Sequence, residues 1–82
     1  MHNILFTDKS IKDLEKIDLE TQKRIILKLK EYSKEPLRYA RKLANIKIGS
    51  YRFRIGDYRV IFDIDSNNIV ILRIGHRKNI YD

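Results

Sequence analysis

Apolar positions along this chain change their period twice. Asn3 to Phe6 holds a short apolar run that reads as a strand. The spacing then turns helical: Ile11, Leu14 and Ile17 recur three residues apart. After Asp18, the positions Ile25, Leu29 and Tyr32 follow at i, i+4 and i+7, and Ile26 widens the stripe. Thr7 and Asp18 stand where N-caps belong, and Asp8 and Glu20 suit the positive ends of the helices that follow. The first helix is expected to reach about Lys16, and the second to end before Pro36. Lys23, Arg24, Lys28 and Lys30 lie off the apolar stripe. Leu37 to Lys47 is basic and fits a short helical turn.

From Tyr51 the period becomes two. Tyr51, Phe53 and Ile55 share one face of a strand, with Arg52 and Arg54 on the other. Gly56-Asp57 is a two-residue hairpin turn, with Gly56 supplying a positive φ. That loop length pairs Ile55 with Tyr58 and Arg54 with Arg59. One face then reads Tyr51, Phe53, Ile55, Tyr58, Val60, Phe62 and Ile64, and the other Arg52, Arg54, Arg59, Ile61 and Asp63. A further strand runs from about Ile69 to His76, after a turn containing Asp65 to Asn68. Its facing depends on loop length, because a one-residue slip flips every side chain. An even loop would put Val70, Leu72, Ile74 and His76 on the arginine face. A three-residue loop or a bulge would bury Val70, Leu72 and Ile74 and send Arg73 and Arg77 to the arginines. The second arrangement is preferred, because an apolar set belongs in the core. The expected fold is α+β: an N-terminal short strand and a helical hairpin packed on a mainly antiparallel curved sheet, in one domain spanning 1–82.

Composition narrows the function. The chain has 82 residues, 18 Lys plus Arg against 11 Asp plus Glu, and a net charge of +7. Such a balance suits a polyanionic partner, nucleic acid or an acidic protein. The absence of cysteine excludes a disulfide framework and a thiolate nucleophile and fits a cytoplasmic setting. No run reaches the length of a membrane span, and no membrane partner is expected. His2 and His76 lie far apart and the carboxylates show no ligand spacing, so no metal or other cofactor is expected. Like charges opposed on a sheet are unfavourable. At about 5 Å the Arg54–Arg59 repulsion is about 1 kcal/mol in water and about 3 kcal/mol at an effective dielectric near 20. Several arginines converging on one face point to a phosphate site.

The hairpin Tyr51 to Phe62, followed by Ile74-Gly75-His76-Arg77-Lys78-Asn79-Ile80-Tyr81, resembles the RelE branch of the RelE/ParE toxin superfamily. The helical hairpin and Lys42-Leu43 fit as well, so the resemblance spans essentially the whole chain. It implies the toxin of a type II toxin–antitoxin pair, a metal-free endonuclease cutting mRNA in the ribosomal A site by 2′-hydroxyl attack. Its implied partners are a RelB-like antitoxin, the ribosome and mRNA. Residue by residue, Arg52 and Arg54 match the basic pair of the family's second strand, and Arg59 its phosphate-binding arginine. Arg77 matches the arginine that assists the transition state, and Tyr81 the C-terminal tyrosine that stacks on a base. The catalytic set is therefore Arg54, Arg59, Arg77 and Tyr81, with Arg52, Arg73, His76 and Lys78 as RNA or phosphate contacts. Two alternatives stand beside it: a ParE-like gyrase inhibitor with the same fold, and an RNA- or ribosome-binding module without catalysis.

Overall fold

The Thr7 side chain accepts the Ser10 N–H at 3.2 Å, so the first helix begins where its N-cap predicts. The same hydroxyl donates to the Ile71 carbonyl at 2.8 Å, which ties the helix start to the sheet. These features belong to a computed structural model that describes residues 2–44 and 47–80. Its elements are β1 (Asn3–Phe6), α1 (Asp8–Glu15), α2 (Leu19–Tyr32), α3 (Pro36–Tyr39), β2 (Arg41–Lys42), β3 (Tyr51–Ile55), β4 (Tyr58–Asp65) and β5 (Asn68–His76). Asp18 caps α2 by accepting the Thr21 N–H at 3.0 Å. The helical turn expected near Leu37 is α3, with Pro36 at its start, where a missing N–H costs nothing.

The sheet has five strands in the order β1-β5-β4-β3-β2. Only β1–β5 is parallel; the other three pairings are antiparallel. β2, two residues long, is an edge strand too short to show a period in the sequence. One sheet face packs on the helices: Phe53, Val60, Phe62, Ile69, Ile71 and Ile74 meet Ile25 and Leu29 there. Phe53 stacks on Phe62 at 4.2 Å between centroids. Each such side chain contributes about 1.5–3 kcal/mol on burial, so the aromatic pair outweighs either helix cap. Ile11, expected on the core stripe, is 44% exposed, because α1 is short and turns its C-terminal half, Leu14 onward, to the core. No helix among the described residues is long and apolar enough to cross a membrane.

β5 departs from both registers expected of it. Its turn, Ser66-Asn67, is the even two-residue kind, with Asp65 opposite Asn68. The first half of the strand therefore sends Ile69 and Ile71 into the core and sets Val70 opposite Asp63. A bulge then intervenes: Phe62 faces Ile71, while Ile61 faces Arg73. Leu72 is the extra residue. Beyond it the facing is reversed, so Ile74 is buried and Arg73 lies across from Ile61. The expected burial is correct for Ile74 and wrong for Val70 and Leu72, since the strand uses both facings in turn.

Candidate functional site

Cross-strand register arranges the arginines in two rows. The first runs Arg41 on β2, Arg52 on β3, Ile61 on β4 and Arg73 on β5. The second runs Arg54 on β3, Arg59 on β4 and Gly75 on β5. The Arg54–Arg59 pairing is the one the turn length predicts. Arg41 is an addition: its basic segment is visible in the sequence, but nothing there reveals the two-residue strand that sets it beside Arg52.

One end of the face is covered. Gly49 and Ser50 lie against it, with the Ser50 N–H donating to the Asp63 carboxylate at 2.8 Å. Gly49 presses so closely that a Cβ there would lie 2.4 Å from the Ile61 methyl, and Ile61 is fully buried. Gly49 has φ +152, within the range that favours glycine. The charged end therefore lies around the β3–β4 turn. Arg59 is only 5% exposed there, and its Nη1 donates to the carbonyls of Gly56 and Tyr58, both at 3.0 Å. Two carbonyl acceptors hold a buried guanidinium rigid and partly offset its loss of water. Arg54 beside it is exposed, and Arg52 is half-buried.

The tail closes on this same turn. The Arg77 N–H donates to the Asp57 carbonyl at 2.8 Å, and its guanidinium stands 3.7 Å from the Asp57 carboxylate. Both side chains are more than half exposed, so that ion pair is weak. Ile80 is buried against Gly75, where a Cβ would come within 2.9 Å of its methyl. Arg54, Arg59 and Arg77 are thus gathered about one turn. Lys78 is exposed, and its backbone N–H donates to His76 Nδ1 at 3.2 Å. His76 pairs with Tyr58 on the helix side of the sheet, ring edge to ring face at 5.5 Å, away from the arginine rows. Tyr81 lies outside the described residues.

Arg73 has a partner that the sequence does not announce. Asp13 of α1, sixty positions away, accepts Arg73 Nε at 2.8 Å, Nη2 at 3.3 Å and the Ile74 N–H at 3.0 Å. Burial alone pushes the Asp13 carboxyl up. The bonds from Arg73 and Ile74, with the charges of Arg73 and Lys16, outweigh it and hold the group below its usual range. The same bond raises Arg73 above its ordinary value. Among the described residues no three His, Cys, Asp or Glu side chains converge as a metal site would need.

A family model described as the ParE toxin of the type II toxin–antitoxin system parDE matches residues 4–81. The chain belongs to the RelE/ParE toxin family. Toxin RelE3 of Methanocaldococcus jannaschii is 34% identical, over 96% of this chain and 94% of its own. Toxin RelG of Mycobacterium tuberculosis is 33% identical, over 98% and 95%. Among solved structures, the toxin–antitoxin complex RelBE2 of Mycobacterium tuberculosis holds a chain superposing with a TM-score of 0.82 at 30% identity, covering 93% of this chain and 98% of that one. This RelE/ParE toxin therefore has the α+β architecture expected of it, with an N-terminal strand, helices and a mixed, mostly antiparallel sheet.

Proposed function

We propose that this RelE/ParE toxin is a ribosome-dependent endoribonuclease that cuts mRNA in the ribosomal A site. The observation that carries the reading is the gathering of Arg54, Arg59 and Arg77 about the Gly56-Asp57 turn. Attack by a ribose 2′-hydroxyl on the neighbouring phosphate builds charge on a five-coordinate phosphorus and leaves a 2′,3′-cyclic phosphate and a 5′-hydroxyl. Fixed cations aimed at that charge lower the barrier without reorganising during the reaction. Arg59, pinned by two carbonyls, is the rigid member. Arg77, more than half exposed and lightly held, is free to swing to the leaving oxygen. Tyr81 stacks on a base in this reading, and Arg52, Arg73 and Lys78 contact the RNA, with His76 on the other side of the sheet. Arginine is a poor proton carrier at neutral pH, so the arginines act through charge.

The partner in this reading is a RelB-like antitoxin, consistent with the toxin–antitoxin complex among the structural relatives. A net charge of +7 favours an acidic segment wrapped over the basic surface. Primer extension on mRNA in translating ribosomes tests the activity. The wild-type chain should give A-site cuts, and Arg77→Ala should lower the rate by about 10²–10³ while the fold survives. An Arg77→Ala protein cutting at the wild-type rate sinks the assignment. The ParE description of the family model favours a second reading, inhibition of DNA gyrase. Loss of supercoiling with intact ribosomal mRNA would select it.

A further inference from the structure

β1 pairs with β5 as far as Ile71, and among the described residues no strand covers the rest of β5 on that side. A cleft of about 360 Å³ opens there, between the end of α1 and the end of β5. Lys16, Arg73, His76 and Asn79 supply its polar lining, with Ile17 and Tyr58 among its apolar walls. The Asp13 carboxylate in the same wall is already engaged: one oxygen accepts Arg73 Nε and the Ile74 N–H, the other Arg73 Nη2. It offsets the Arg73 charge and leaves that of Lys16, so the cleft stays cationic. His76 Nδ1 accepts the Lys78 N–H, an assignment that leaves the ring proton on Nε2, a donor. The lining is thus rich in donors, cationic at the rim and backed by an apolar wall and an aromatic ring. That combination suits a nucleotide: a charged phosphate with a flat, weakly polar base.

We propose that this cleft is a second subsite that binds one nucleotide, its phosphate on Lys16 and Arg73 and its base against Ile17 and Tyr58. The subsite extends the RNA-cleavage reading to the helix side of the sheet and rests on it only for the view that the nucleotide belongs to an RNA chain. Arg73 links the two places, since its register position is in the first arginine row and its guanidinium reaches the cleft.

The test is an amide-resolved NMR titration of the full chain with adenosine 3′-monophosphate, inorganic phosphate and adenosine in separate arms. The nucleotide should move the amides of Lys16, Ile17, His76 and Asn79 saturably. Lys16→Gln should weaken that binding by about fivefold, the value of one solvated charge contact. Asn79→Ala is the second variant should Lys16→Gln fail to give a native spectrum. Adenosine alone should bind more weakly than the nucleotide. Shifts confined to the arginine rows, or affinity unchanged in the variants, would overturn the proposal. Inorganic phosphate binding as tightly as the nucleotide would also overturn it, leaving a plain anion site. Cleavage is not read in this experiment, so its failure and that of the nuclease reading are separable.

Discussion

Replacing Asp13 with alanine removes three hydrogen bonds in one step and tests how α1 is held to the sheet. The Ile74 N–H faces the side of β5 that β1 no longer covers, so without Asp13 it has no strand to bond to. A buried donor left unmade costs about 1–3 kcal/mol. The Arg73 side chain is 36% exposed, so losing its ion pair adds no more than about 1 kcal/mol after solvent screening. The expected loss is about 2–3 kcal/mol, or about 10–20 °C in Tm for a domain of this size. Asp13→Asn keeps an oxygen for the Ile74 N–H and should lose only about 1 kcal/mol. Urea unfolding followed by circular dichroism gives both values. An Asp13→Ala protein within about 0.5 kcal/mol of wild type, or an Asp13→Asn protein as unstable as the alanine variant, would refute the reasoning. The pH dependence supplies a sign. The folded Asp13 carboxyl is held below its ordinary 3.8, so its contribution is present above that pH and disappears as the pH falls through the folded value. The gap between wild type and Asp13→Asn should therefore be full at neutral pH and close in acid below 3.8.

Other substitutions separate stability from activity. Arg54→Thr removes a like-charge pair with the buried Arg59 and should leave stability equal or up to about 1 kcal/mol higher, while cleavage falls at least about tenfold; a loss of stability would contradict the repulsion argument. Gly49→Ala drives a methyl into Ile61 and should cost about 1–3 kcal/mol by urea unfolding. Thr7→Ala loses a cap and a bond to the Ile71 carbonyl and should cost about 1–2 kcal/mol, with faster amide exchange in the first turn of α1.

What the sequence discloses here is what local chemistry controls. Thr7 and Asp18 mark helix starts because capping is a matter of three residues. The Arg54–Arg59 pairing follows from the length of one turn. Leu72 shows the opposite case. Its bulge brings it beside Gly49, a contact between residues far apart in the chain, and no local pattern records it. The partner of Arg73 is hidden in the same way, since an aspartate on the polar side of a helix looks like any solvated charge. Arg77 and the arginine hairpin are legible because charge is costly to gather. Arg41 is less so, because a strand of two residues has no alternation to display.

The opposed arginines also couple the protein's persistence to its surroundings. A sheet that holds Arg41 beside Arg52 and Arg54 beside Arg59 sets like charges opposite one another. Any anion that binds the folded chain and not the unfolded one raises stability in proportion to the logarithm of its concentration over its Kd. Free protein is then the least stable state, and protein carrying a bound anion the most stable. An arrangement that would hold a phosphate would thus also be steadied by one.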